Sequence, residues 1–139
     1  MHANVLFLFT LFFSVFSVFA SPVPTGETQD IEKRLTRSGR GTYFHVGLGN
    51  CGKWNKDSDA IVAIPKSLYD KNGGSNCDQW VKIKDNKTGK VAYGKTRDSC
   101  PSCKSGDLDM SPSLFKKFAS LDKGVVNVSW NFMHKGFKP

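Results

Sequence analysis

Four cysteines behind an apolar leader, Cys51, Cys77, Cys100 and Cys103, most limit what this chain can fold into. Residues 5–19 read VLFLFTLFFSVFSVF, without a single charge. That run is too short to cross a bilayer, which takes about 20 residues. It closes on Val18-Phe19-Ala20, with small residues where a signal peptidase reads them. The preceding Met1-His2-Ala3-Asn4 departs from the usual pattern by lacking Lys and Arg. Residues 1–20 are therefore read as a cleaved signal peptide, and the remainder as a secreted, extracellular domain with no membrane span. In an oxidising compartment an even number of cysteines reads as two disulfides. Four cysteines permit three pairings, and spacing alone does not choose among them. A zinc site is disfavoured, because there is one Cys-x-x-Cys pair and no His beside it. No metal and no cofactor is expected.

Residues 21–34 read as a pro-segment or linker. Pro22, Pro24 and Gly26 are followed by Glu27, Asp30 and Glu32, and the stretch ends in Lys33-Arg34. A dibasic pair after an acidic, Pro-containing spacer resembles the site cut by kexin-type proteases of fungal secretory pathways; an ordinary charged linker is the alternative. Cleavage there leaves residues 35–139 as the domain. The whole chain carries +8, and losing two positive and three negative charges leaves +9. Such a charge favours acidic partners: anionic polysaccharide, phosphate or a membrane surface. The Lys residues are spread along the chain, however, so they read as a solvated basic surface and not as a nucleic-acid site. With 139 residues in all there is room for one domain, expected as a monomer. Eleven Phe exclude a disordered chain. A domain this small buries only about 65% of its unfolded surface, so covalent help is expected.

The body reads as all-β with short helices. Residues 60–64 (AIVAI) form a short apolar run, a buried strand. Residues 80–84 alternate apolar with polar, residues 85–90 make a turn, and residues 91–96 return. Residues 125–133 alternate again, with Val126, Val128, Trp130 and Phe132 on one face. Trp130 therefore belongs to the core. Residues 111–119 read as a helix with Ser111 as N-cap and Pro112 in the first turn. Residues 65–69 look like a second short helix. Ser67-Leu68-Tyr69 and Ser113-Leu114-Phe115 hint at an internal two-fold repeat.

Several stretches together resemble a known family. They are Gly41-Thr42-Tyr43-Phe44, Gly49-Asn50-Cys51-Gly52, Asn76-Cys77-Asp78-Gln79-Trp80, and above all Thr96-Arg97-Asp98-Ser99-Cys100-Pro101-Ser102-Cys103 with Gly106-Asp107-Leu108-Asp109-Met110-Ser111-Pro112. The pattern is similar to the rare-lipoprotein-A-like and expansin domains, and most to their single-domain, loosenin-like fungal members. The resemblance spans about residues 39–132. It implies a six-stranded double-psi β-barrel with a polysaccharide groove across one face. It also suggests, by likeness to barwin-type barrels, that Cys51 bridges Cys77. For Cys100 and Cys103, Pro101 and the all-β pattern argue for a structural disulfide over a redox site.

The resemblance places Asp98 and Asp109 in the groove, with Thr42 and Tyr43 in the family's Thr-x-Tyr region. Asp109 precedes the helix at Ser111, whose N-terminus is expected to favour its charged form. Asp107 is expected to face solvent. Hydrolysis by inversion needs two carboxyls about 6.5–9.5 Å apart. The hydrolytic relatives carry the base shortly after Thr-x-Tyr, where this chain has no carboxylate before Asp57. Binding and loosening of cell-wall polysaccharide (cellulose, chitin or pectin-like) without hydrolysis is thus the main reading, with single-carboxylate lytic cleavage behind it. Tyr43 and Trp54, in Gly-rich polar stretches, are the sugar-stacking candidates. Asn86-Lys87-Thr88 is a glycosylation sequon in a turn. A bacterial inhibitor of papain-like cysteine proteases has a similar barrel, so a secreted protease is the alternative partner. For that role residues 71–75 (KNGGS) are the candidate blocking loop.

Overall fold

The alternating segments become the staves of a barrel. A computed structural model describes residues 35–139. The signal-peptide and Lys33-Arg34 readings lie outside the described residues. In β6 (Val126–Phe132), Val126, Val128, Trp130 and Phe132 are buried and the residues between them face outward. In β3 (Trp80–Asp85), Val81 and Ile83 point in while Lys82 and Lys84 point out. The short apolar run is β2 (Ile61–Pro65), buried along all five residues. The return strand, β4 (Val91–Cys100), runs further than its alternation indicates.

Two strands carry no periodic signature. β1 (Arg37–Tyr43) reads RSGRGTY, and β5 (Leu108–Met110) has three residues. Their hydrogen bonds come from distant partners: β1 pairs antiparallel with β6 and parallel with β5. The complete order is β1-β5-β2-β4-β3-β6, closed back onto β1. The β1–β5 and β2–β4 pairs are parallel and the others antiparallel. This is the all-β, six-stranded double-psi barrel, with two disulfides, Cys51–Cys77 and Cys100–Cys103. Closure removes free sheet edges, so short strands with weak local preference are held by neighbours on both sides.

The core fills the barrel with rings. Trp130 meets Phe132 edge-on at 5.5 Å between centroids. Its indole N–H donates to the Gly106 carbonyl at 2.8 Å, so the buried ring leaves no unpaired donor. α1 (Lys66–Lys71) follows β2, and α2 (Pro112–Phe115) follows β5. The tripeptides that hinted at a repeat thus each sit in a short helix directly behind a barrel strand.

The expected helix over residues 111–119 shrinks to one turn, and residues beyond it close in three-residue turns, Phe118 N–H to Phe115 C=O among them. Leu114, Phe115 and Phe118 are buried in the core. Ser111 occupies the N-cap position but makes no side-chain cap. Its hydroxyl instead accepts the Ile61 N–H at 3.2 Å, tying the start of β2 to the β5–α2 junction.

Candidate functional site

One line of residues crosses four neighbouring strands. Thr42 of β1 is in register with Asp109 of β5, Asp109 with Ala63 of β2, and Ala63 with Asp98 of β4. Leu108 and Met110 are buried, so Asp109 between them points away from the core. Strands lie about 4.8 Å apart, which puts the Asp98 and Asp109 backbones about 10 Å apart, with the smallest side chain between. Asp98 joins this line through a register shift. The β2–β4 ladder steps from Val62↔Thr96 to Ala63↔Asp98 and skips Arg97. Simple alternation after Ala92, Gly94 and Thr96 would turn residue 98 inward; the bulge turns it out.

The two carboxylates have different partners. Thr42 Oγ1 donates to Asp109 Oδ1 at 2.9 Å. Burial nevertheless pushes the Asp109 carboxyl above its ordinary value, against that hydroxyl and the Met110 amide, and the Asp98 charge adds to the effect. The expectation that the following helix favours the charged form is corrected: a four-residue helix has little dipole, and desolvation dominates. Asp98 is engaged elsewhere. Its Oδ1 accepts the Asn50 N–H and the Ser99 N–H, both at 2.8 Å.

Asp107 lies at the surface but is not free in solvent. It is only partly exposed, and its carboxylate accepts the Arg40 N–H and the Lys104 N–H, each at 3.0 Å. Burial works against its charge, but the two amides outweigh burial and hold the carboxyl below the ordinary range.

Tyr43 does not present a free ring. It packs on Phe115 at 5.1 Å between centroids and against the core. Trp54, the other stacking candidate, is 77% exposed. Asn86 is exposed in the β3–β4 turn, where its Oδ1 accepts the Ser129 hydroxyl at 2.7 Å.

Asp57, set aside because it lies far beyond Tyr43 in sequence, is folded back onto the end of β1. It contacts His45 Nδ1 at 2.7 Å and accepts the Val46 N–H at 2.9 Å. Those bonds, the His45 contact first, hold its carboxyl below the ordinary range. Among the described residues no cluster of three or more His, Cys, Asp or Glu is placed to hold a metal, and no helix is long and apolar enough to cross a membrane.

The second feature is a hairpin over residues 47–55, within which the sequence reading picked out Cys51 as a half-cystine and Trp54 as a stacking candidate but not the hairpin itself. Leu48 and Trp54 form an isolated antiparallel bridge. Gly49 N–H donates to Lys53 C=O at 3.1 Å, and Asn55 N–H to Gly47 C=O at 3.0 Å. These bonds flank the bridge, which makes it a narrow, non-hydrogen-bonded pair with its side chains close together. Leu48 is 58% exposed beside Trp54.

The tip is fastened to the barrel on several sides. Cys51 is bridged to Cys77, and its N–H donates to Arg97 C=O at 3.1 Å. Tyr69 Oη donates to Asn50 C=O at 3.1 Å. Lys53 pairs with Asp78 at 3.0 Å, and Arg97 reaches the other Asp78 oxygen at 3.0 Å. Gly49 is required by close approach: a Cβ there would stand 2.2 Å from the Arg97 carbonyl oxygen. The only local hint of this hairpin was Gly49-Asn50-Cys51-Gly52, preceded by Leu48 and followed by Lys53-Trp54.

The other proposed loop has a different character. Residues 71–75 wind into successive turns after α1, with Gly74 N–H donating to Tyr69 C=O at 3.0 Å. Gly73 and Gly74 both have positive φ, and this stretch contains no apolar side chain.

A closed six-stranded barrel with a carboxylate line on one side and a disulfide-tethered hairpin beside it defines a small domain of the double-psi barrel fold. No protein-family profile matches the chain. It is 34% identical over 110 residues to the papain inhibitor of Streptomyces mobaraensis, covering 75% of this chain and 76% of that one. The chain belongs to the family of that inhibitor. The solved structure of the Streptomyces papain inhibitor aligns with a TM-score of 0.64 at 32% identity, over 73% of this chain and 96% of that one.

A Clavibacter michiganensis expansin, solved in complex with cellohexaose, aligns with a TM-score of 0.65 at 21% identity. That alignment covers 76% of this chain and 54% of the expansin, so this chain spans about half of it. The expansin likeness is one of fold; the sequence relationship shown is to the inhibitor.

Proposed function

We propose that this protein is a secreted inhibitor of papain-like cysteine proteases. The observation that carries the proposal is the 34% identity to the Streptomyces mobaraensis papain inhibitor over three quarters of both chains. The two disulfides and the closed barrel fit a protein that survives among proteases, because cross-links and missing sheet edges limit local opening. We also propose that residues 1–20 are removed as a signal peptide and residues 21–34 as a pro-segment. The test is titration of papain and other cysteine proteases with the secreted protein. Tight, stoichiometric loss of activity supports the reading, and full activity at micromolar protein rejects it.

A second reading is favoured by one observation. The line Thr42, Asp109, Ala63 and Asp98 offers hydroxyl and carboxyl groups on the barrel's outer face. A sugar chain laid along it would find hydrogen-bonding partners, and the expansin that shares the fold was solved with cellohexaose. Retention on insoluble cellulose, chitin or pectin, lost on Asp109→Asn, tests polysaccharide binding at this line. Reducing-sugar release by the parent protein would identify an enzyme.

A further inference from the structure

We infer that the hairpin over residues 47–55 is the wedge that enters the protease cleft, with Leu48 and Trp54 as its apolar contacts. The inference rests on the inhibitory reading above. Four large apolar side chains are conspicuously exposed among the described residues: Leu35, Leu48, Trp54 and Val91. Leu48 and Trp54 are neighbours on one bridge, whereas Leu35 is the first described residue and Val91 opens β4. Two adjacent apolar side chains held in water mark a contact surface, and Trp is the residue type most enriched among interface hot spots.

The hairpin is also pre-organised. Ordering a loop on binding offsets part of the gain in affinity. Here the Cys51–Cys77 bridge, the Asp98 acceptor for Asn50, the Tyr69 donor to Asn50 and the Lys53–Asp78 pair do that ordering in advance. The KNGGS stretch lacks both properties, since it has two positive-φ glycines and no apolar side chain.

The same bonds explain how such a hairpin resists being cut. A protease takes a substrate as an extended strand with its backbone groups free to pair with the enzyme. At the tip, Gly49, Asn50, Cys51 and Gly52 all have their N–H groups engaged: with Lys53, Asp98, Arg97 and Gly49 respectively. Gly52 sits at φ +78°, away from extended backbone. Straightening the tip would break all four bonds while Cys51 stays tethered. The hairpin therefore offers side chains to a cleft without offering a cleavable strand.

The experiment compares the full-length secreted protein with Leu48→Ala, Trp54→Ala and the double variant by their inhibition constants against papain. Val91→Ala serves as the control from another part of the surface. Both target residues are mostly in water, so thermal melts are expected to match the parent; Trp54→Phe, which keeps an aromatic surface, is the second check. The expected result is roughly a tenfold weakening for each single variant and about a hundredfold for the double. Val91→Ala is expected to stay within about threefold, Trp54→Phe to fall between the parent and Trp54→Ala, and mass spectrometry is expected to find no cut within residues 47–55.

A parent that inhibits, with a double variant that inhibits equally well, overturns the wedge and leaves the inhibitory reading standing. A parent that inhibits no papain-like protease overturns both. Cleavage inside the hairpin overturns the wedge by making it a substrate loop. Loss of polysaccharide retention with an unchanged inhibition constant also overturns it, by assigning Trp54 to a sugar platform.

Discussion

Thr42 and Asp109 face each other across the parallel β1–β5 ladder, and the Thr42 hydroxyl donates to the carboxyl at 2.9 Å. Burial raises the Asp109 carboxyl above its ordinary 3.8, so the folded state holds this proton more tightly than the unfolded chain does. The sign follows: this group disfavours folding at neutral pH, and its cost fades as pH falls through the folded value towards 3.8. Asp109→Asn is therefore expected to leave stability equal or slightly higher at pH 7, with no gain below pH 3.8. Thr42→Val, which removes the donor, is expected to cost about 1 kcal/mol at pH 7 after allowance for solvent screening, and less at pH 3. Urea unfolding at both pH values checks the pair.

Asp107 behaves in the opposite way. Its two oxygens accept two different backbone amides, and an Asn side chain can accept only one of them. Asp107→Asn is expected to cost about 1 kcal/mol at pH 7, making it more harmful to the fold than Asp109→Asn. Asp57, Asp59, Asp78 and Asp85 are, like Asp107, held below 3.8 by hydrogen bonds. Groups lowered in this way stabilise the fold above the unfolded value, and that stability is lost as pH falls through their folded values. Thermal melts are expected to fall below about pH 4 as these groups protonate, with Asp109 contributing in the opposite direction.

Gly49→Ala places a methyl group 2.2 Å from the Arg97 carbonyl oxygen, backbone that cannot swing aside. The hairpin is expected to lift away from β4, costing about 1–3 kcal/mol. Amide exchange at Asn50 and Cys51 is expected to accelerate first, while exchange in β3 and β6 stays slow. Equal acceleration across the barrel would contradict this.

The two disulfides should differ in weight. Cys51–Cys77 closes a sequence separation of 26 residues and Cys100–Cys103 one of 3. Loop-closure entropy then assigns about 3.6 kcal/mol to the first and about 2 to the second. Replacing each pair by Ala and comparing urea midpoints tests the order. The native protein is expected to release no titratable thiol under denaturing, non-reducing conditions.

Processing is tested outside the barrel. The secreted protein is expected to begin at Leu35, after Lys33-Arg34. N-terminal sequencing decides, and a start at Ser21 would show that signal cleavage is the only cut.

Much of the barrel was legible locally. Val126 to Phe132 and Trp80 to Ile83 show their inward faces in the alternation itself, because a strand half-buried in a core must repeat every two residues. The buried Trp130 followed from the same alternation, the paired state of the cysteines from their even number behind a signal peptide, and the Cys51–Cys77 bridge from resemblance. β1 could not be read this way: RSGRGTY has no apolar period and becomes a strand through partners in β5 and β6, far along the chain.

What the sequence by itself determined is the set of staves whose side chains alternate, the residues that fill the core and the presence of two cross-links. Alternation alone sends Asp98 inward; resemblance placed it in the groove, and only the tertiary structure supplies the cause, a bulge at Arg97 that turns it out. It also decided that Asp98 is spent on Asn50, that Asp107 is tied to two amides, and that Leu48 and Trp54 stand together on a tethered hairpin. The physical reason is range. Side-chain periodicity is set by each strand's own geometry, whereas register, bulges and backbone capture are set by whichever distant segment closes against it.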